Sequence, residues 1–306
     1  MWSYILRRLG AIVLLSFGVS ILVFLIVRLI PGDPVAQMLG TSAGSTADVE
    51  RLRHQLGLDL PIPVQYVHWL GNVLHGDLGY SYTNTLPVST LLTQNIPYTL
   101  ELTVAALFVS LLLGVPLGVI AAYRRGSIID TLAMVLALVT LSLPSFWLGL
   151  LLITLFSATW HLLPVFGGTS LQGLILPSVA LGAGVGGVTA RFVRASVVEA
   201  MRQQYVVTAR SKGLPRLRLF RRHVLRNALL PVFTLFGLQV GYLLSGAVVI
   251  ETVFSRPGLG RLLIDSILSK DYLTVQGLVL LITIIYALVN LLVDLMYPLI
   301  DPRIAY

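Results

Sequence analysis

Long uncharged runs alternate with charged segments along this chain. Leu9 to Val27, Leu102 to Tyr123, Ala228 to Ile250 and Tyr272 to Val293 contain no Asp, Glu, Lys or Arg. Each is close to the ~20 apolar residues that a helix needs to cross a hydrocarbon core. Thr131 to Ala190 is uncharged for 60 residues, too long for one crossing. The stretch His161 to Ser170, with Pro164, Gly167 and Gly168, breaks it, and two spans are predicted near 131–157 and 174–193. The pattern predicts an all-α integral membrane protein with six transmembrane helices, because backbone polar groups in lipid must be satisfied within their own segment. Arg7 and Arg8 before the first run resemble the start of a signal peptide. The run outlasts the ~7–15 residues of a signal h-region and ends in Arg28 to Pro34 without a small-residue cleavage site, so it is expected to stay as the first span.

Two loops are too large to be plain connectors. The first follows span one and covers roughly 31–97. Within it, Ser45 and Asp48 read as a helix start and Gly57 as its stop, and Pro63 to Leu74 forms a second helix with Tyr66, Trp69 and Leu70 near one face. The second large loop runs over roughly 199–227. A shorter segment, 251–271, holds Pro257, Gly258, Leu259 and Gly260 and then a helical pattern of Leu262, Leu263 and Ile267. Glycines four apart (Gly114/Gly118, Gly182/Gly186, Gly237/Gly241) let helices approach closely and support a packed bundle. The expected organisation is an N-terminal helix (1–30), an extracytoplasmic loop (31–94), a transmembrane domain (95–294) and a C-terminal tail (295–306).

Composition agrees and charge adds orientation. Hydrophobic types make up 56% of the 306 residues and charged types 11%, against roughly 25% charged in an ordinary soluble domain. With no cysteine, thiolate metal sites and Cys nucleophiles are excluded. The net charge of +8 is unevenly placed. With a cytoplasmic N-terminus, 15 of the 21 Lys and Arg fall on the inner side and six (Arg28, Arg51, Arg53, Arg256, Arg261, Lys270) on the outer side. Both termini are therefore expected inside. The inner loop from Glu199 to Asn227 alone carries eight basic residues against one acid.

Catalytic chemistry is sparse. The five histidines (His54, His68, His75, His161, His223) all lie outside the spans, so an intramembrane hydrolase lacks its base. His68, His75 and Asp77 share a loop without tight ligand spacing, and no metal site is read there. No Gly-Lys dipeptide occurs, which excludes a Walker A phosphate loop, so any ATP energy must come from another subunit. Asp294, with Asn290 one turn before it, is read as the one acid inside a span, and a helix-end structural role is preferred over a proton relay.

The basic loop is the strongest signal. Positive-inside topology and anionic lipid account for charge, but they need no 29-residue loop. Glu199 to Ala209 is helical in pattern and is stopped at Gly213, Leu214 and Pro215. A second helical run, Arg218 to Leu229, leads to Pro231 and back into the membrane. A short helix between two stops suits docking to a cytosolic partner. Nucleic-acid binding is weaker, since only Tyr205 and Phe220 interleave as aromatics.

At these residues the chain resembles the permease subunits of ABC importers, whose loop begins Glu-Ala-Ala, reaches a Gly and ends in a hydrophobic-x-Pro. Here Glu199, Ala200, Ala209, Lys212, Gly213, Arg226, Asn227 and Pro231 match, with Met201 where the family often has Ala. Further stretches are similar to the dipeptide, oligopeptide, glutathione and nickel permeases, the first of their two permease types. These are Ile30, Pro31, Gly32, Asp33 and Pro34, then Leu56 to Pro61 with Gln65 and Tyr66, Gly76 to Gly79, Phe254 to Arg261, and Asn290 to Leu295 through Asp301 to Arg303. The resemblance spans essentially the whole chain. It implies a type I ABC importer permease fold in a prokaryotic inner membrane, with a large extracytoplasmic loop after helix 1. It also implies a second homologous permease, two ABC ATPases that bring ATP and Mg, and an extracytoplasmic solute-binding protein. No cofactor is expected in this chain. The coupling loop would be 199–231 with a coupling helix near 203–213 that includes Tyr205, while Pro31 to Pro34, Pro257, Gly258 and Gly260 would face the binding protein or gate. Short peptides are the expected substrate, with glutathione or chelated nickel as alternatives. A stand-alone secondary transporter or channel is the reading from a different class.

Overall fold

The computed structural model describes residues 2–29, 50, 54, 59–166 and 168–300. Eleven helical elements are labelled in chain order: α1 Trp2–Leu29, α2 Ile62–Leu74, α3 Val88–Tyr123, α4 Ile128–Ser142, α5 Ser145–Leu152, α6 Gln172–Ala200, α7 Gln204–Ser211, α8 Arg216–Leu219, α9 Leu225–Val253, α10 Leu259–Leu268 and α11 Tyr272–Ile300. π-helical turns extend α5 (Ile153–Thr159) and join α8 to α9 (Phe220–Val224). Among the described residues the one β feature is an isolated bridge between Tyr80 and Pro87. Among the described residues five helices are long and apolar enough to cross a membrane, or six if α4 and α5 form one broken span.

Three boundaries differ from those expected. The α3 helix starts at Val88 and runs for 36 residues, about 54 Å, although its uncharged run opens only at Leu102. Glu101 ends an uncharged run but does not end a helix. The expected span 131–157 is bent by 101° between α4 and α5. Pro144 lacks an N–H and disfavours helix at the residue before it, and Leu143 is extended at ψ 126°. Pro231 lies inside α9 instead of preceding the return to the membrane.

The chain packs as two compact units, Met1–Pro97 with Leu262–Ala287 and Tyr98–Arg261 with Leu288–Tyr306. In the first, the expected aromatic face of α2 docks on α1: the Phe24 ring lies 5.2 Å from Tyr66 and 5.5 Å from Trp69. Arg28 stacks on Phe24 and donates through Nε and Nη2 to Gln65 Oε1. Asp271, buried just before α11, accepts from Ser81 Oγ and from the Thr274 amide. The nearby Tyr82 hydroxyl is pushed up to about 12 by burial, then by the Asp271 carboxylate, with Arg28 pulling the other way.

The second unit is built around α6, which buries 16 of its 29 residues. Small residues make that possible. A methyl added at Gly114 would sit 2.6 Å from the Gly186 carbonyl oxygen, and those added at Gly118, Gly182 and Gly187 would strike Ala190, Ala106 and Ala137. These contacts bring α3 and α4 against α6, while Gln239 of α9 donates to Thr189 Oγ1 at 2.9 Å. A core of Leu102, Leu176, Leu181, Leu243, Ile250 and Phe254 fills one part of the unit. A second core, including Val193, Val197, Val206, Phe220 and Val224, lies under the basic loop.

Candidate functional site

The basic loop is ordered from its own sequence. α6 ends at Ala200, three residues turn, and α7 begins at Gln204, so the helical pattern from Glu199 to Ala209 belongs to two helices. Val206 is the one buried side chain of α7, at 1% exposure, and it enters the apolar core with Val193, Val197 and Phe220. Its neighbours Tyr205 and Val207 stay exposed, at 37% and 61%.

The end of α7 explains Gly213. The Gly213 amide donates to the Arg210 carbonyl at 3.0 Å and the Leu214 amide to the Ala209 carbonyl at 3.3 Å, the paired bonds of a Schellman motif. Leu214 and Ala209 both pack against the same core. The motif needs a left-handed residue, and Gly213 has φ +80° with open space where a Cβ would lie. Backbone conformation, not crowding, is what selects glycine there.

Around this platform, Arg202, Arg210, Lys212, Arg218, Arg221, Arg222 and Arg226 are all exposed, as are Glu199, Asn227 and Pro231, while Ala200 is buried. The face carrying α7 thus combines cations with the two uncovered apolar side chains of Tyr205 and Val207.

An ion pair braces the same region. Arg194 Nε and Nη2 donate to Asp130 Oδ1 and Oδ2 at 2.6 and 2.7 Å, a bidentate pair between α6 and α4. Asp130 Oδ2 also accepts from the Gly126 amide at 3.0 Å. Tyr123, ending α3, meets Phe220 edge-on at 4.9 Å.

The far end of α9 holds a buried polar cluster. Glu251 is fully buried, and its Oε1 accepts from Thr99 Oγ1 at 2.6 Å. Its Oε2 accepts from the Gly260 and Arg261 amides at 2.8 and 3.1 Å, and Thr99 Oγ1 accepts from the Leu259 amide at 2.8 Å. The first three N–H groups of α10, which no helix can pair internally, are thus capped by side chains from α9 and α3. Added methyl groups would overlap the Glu251 carboxylate at Gly258 and Val248 at Gly260. Arg256, also fully buried, donates to Glu101 Oε2 and the Gly168 carbonyl, both at 2.8 Å.

Asp294 is therefore not the one acid within a span, as the sequence reading had it. Asp130 and Glu251 also lie in apolar helices and are better buried. Of the expected gate residues, Gly258 and Gly260 are buried and Pro257 half-buried, while Pro31, Gly32, Asp33 and Pro34 lie outside the described residues, as does the helix expected between Ser45 and Gly57 apart from residues 50 and 54. Among the described residues no group of three His, Cys, Asp or Glu is placed to hold a metal.

Comparison with known proteins decides the family. The profile of binding-protein-dependent transport system inner membrane components matches residues 114–306, and that of its N-terminal region matches residues 1–103. The chain belongs to this family of ABC importer permeases. It is 43% identical to the dipeptide transport system permease protein of Escherichia coli (strain K12) over 337 aligned positions, covering 100% of this chain and 99% of that one. It is 42% identical to the glutathione transport system permease protein of the same strain over 306 positions, covering both chains completely. Among solved structures, an inward-facing form of the MetNI methionine ABC transporter superposes with a TM-score of 0.59 at 19% identity, over 69% of this chain and 96% of that one. An amino acid ABC transporter with histidines gives 0.55 at 18% identity, over 71% and 95%. These two support the fold alone.

Proposed function

We propose that this permease imports short peptides into the cytoplasm of a prokaryotic cell, driven by ATP hydrolysis on partner subunits. It is itself a transport subunit and not an enzyme. The observation that carries this is α7: an eight-residue helix fixed to the core by Val206 and the Gly213 stop, presenting Tyr205 and Val207 among exposed cations. A rigid, partly apolar helix outside the hydrocarbon region suits insertion into a groove of an ATPase. The proposed coupling residues are Glu199, Ala200, Tyr205, Ala209, Lys212, Gly213, Arg226, Asn227 and Pro231. Because α7 shares one core with α6 and α9, a push on it reaches both long helices, the coupling that alternating access requires. The lopsided Lys and Arg distribution supports a cytoplasmic position for this loop and both termini. The partners are a second permease, two ATPases carrying ATP and Mg, and an extracytoplasmic binding protein that meets the 31–94 loop, with Pro257, Gly258 and Gly260 shaping the gate.

Both relatives carry peptide-class solutes in their names, and glutathione is a modified tripeptide, so short peptides cover the two. Glutathione stands first among the alternatives because a relative of 42% identity carries it in its name. In the assembled complex, Gly213→Asp is expected to leave the chain in the membrane while abolishing peptide uptake and separating it from ATP hydrolysis. Wild-type uptake by that variant would overturn the coupling role. Thermal shifts of the cognate binding protein with dipeptides, glutathione and nickel chelates would assign the substrate, and a response to nickel chelates alone would reverse the peptide reading.

A further inference from the structure

A crevice of about 480 Å³ opens beside the basic loop, between the end of α3, the start of α4 and the π-turn that follows α8. Its volume falls within the roughly 300–1,000 Å³ of ordinary ligand pockets. Ile120, Tyr123, Leu217 and Phe220 form an apolar wall, and Arg124 and Arg221 line the same space. Ile120, Tyr123 and Leu217 are 49%, 48% and 58% exposed, so the wall is uncovered by this chain. Among the described residues neither Arg124 nor Arg221 is paired with a carboxylate. The wall includes α3 residues at the end of an apolar span, Arg124 directly follows that span, and Arg221 lies in the adjoining turn of the basic loop. An apolar slot at the end of a span, topped by two exposed guanidinium groups, has the chemistry of one class of molecule.

We propose that the crevice binds one anionic phospholipid of the leaflet at the basic end. An acyl chain lies along Ile120, Leu217 and Phe220, and the phosphate is held by Arg124 and Arg221, whose planar donors suit phosphate oxygens. The bound lipid also has a consequence for coupling. Phe220 faces Tyr123 and reaches the core that receives Val206, so an occupied crevice steadies the seat of α7.

The test uses the complete transporter, taken from a membrane containing phosphatidylglycerol and stripped of bulk lipid. Native mass spectrometry is expected to retain one phosphatidylglycerol per copy of this chain. Arg124→Gln with Arg221→Gln should reduce that occupancy at least tenfold, and Leu217→Trp should do so with the charges intact. Arg125→Gln with Arg222→Gln removes the same charge outside the crevice and should leave it unchanged. Equal retention in the Arg124/Arg221 variant, or equal loss in the control, overturns the proposal. The chain has no cysteine, so Leu217→Cys offers a single thiol. Its alkylation should be slowed by phosphatidylglycerol nanodiscs relative to phosphatidylcholine ones. Protection by the ATPases alone, with no anionic lipid, would assign the surface to them and overturn the lipid site. The proposal stands whatever Gly213→Asp does to uptake.

Discussion

The two ends of α9, about 43 Å apart along a 29-residue helix, hold irregular segments in place by opposite means. Before Leu225, the basic loop rests on apolar contacts: Val206, Leu219, Phe220 and Val224 share a core, while Arg202, Arg210, Lys212, Arg218, Arg221 and Arg222 are exposed. After Val253, the Pro257 to Gly260 turn wraps a buried carboxylate, with Glu251 and Thr99 pairing three backbone amides. Hydrophobic contacts are non-directional and tolerate small shifts, whereas a buried hydrogen-bonded carboxylate fixes one geometry and is costly to leave half-satisfied. The comparison separates a seat that can transmit movement from a turn that resists it.

The largest effect tests the rigid end. Glu251→Ala strands the Gly260 and Arg261 amides and the Thr99 hydroxyl in an apolar core and is expected to cost about 3 kcal/mol. Gly258→Ala, which places a methyl on that carboxylate, should lower thermal stability in detergent as well. Glu251→Gln, keeping acceptor oxygen but not two of them, should fall between. A wild-type melting temperature for Glu251→Ala would remove the distinction between the ends.

Next comes the Asp130–Arg194 pair, a bidentate electrostatic brace at the basic end. Arg194→Ala leaves Asp130 with the Gly126 amide and is expected to cost about 2 kcal/mol. Asp130→Leu combined with Arg194→Met should recover much of that loss, because two paired charges leave together. A double variant no more stable than the single would mean the pair positions the helices in ways packing cannot replace.

Much of the basic end was legible in the sequence, and little of the other. Gly213 followed a helical pattern and preceded a proline, a local stop signal that the Schellman bonds match. The α2 face of Tyr66 and Trp69 was likewise readable from spacing. Glu251 was not, because counting charges assigned it to the loop beyond an uncharged run. Its burial depends on Thr99, 152 residues away, and the Arg194–Asp130 pair joins residues 64 apart. The only local trace of that cluster was two glycines within nine residues of an acid. The bend at Pro144 had a local signal, but continuous hydrophobicity from 131 to 157 concealed it.

Gly213→Ala follows at about 1 kcal/mol, the cost of a left-handed residue carrying a Cβ, with Gly213→Asn costing less. Thermal denaturation of the three proteins should rank them in that order, and equal stabilities would mean that the left-handed turn relaxes.

The smallest effect on stability is the most discriminating for function. Val206 and Val207 are adjacent and chemically identical, yet one is 1% exposed and the other 61%. Val206→Ser puts a hydroxyl into the apolar core and should lower stability by about 1–3 kcal/mol, loosening the whole loop. Val207→Ser sits on the surface, where substitutions usually stay within about 0.5 kcal/mol. If α7 only capped its own bundle, Val207→Ser would be silent in every assay. If its exposed face enters an ATPase groove, Val207→Ser should melt like the wild type while co-purification of the ATPases and coupled uptake both fall, on the order of tenfold. A loss of coupling without a loss of stability cannot come from the fold of this chain, so it must be read at the surface that α7 presents.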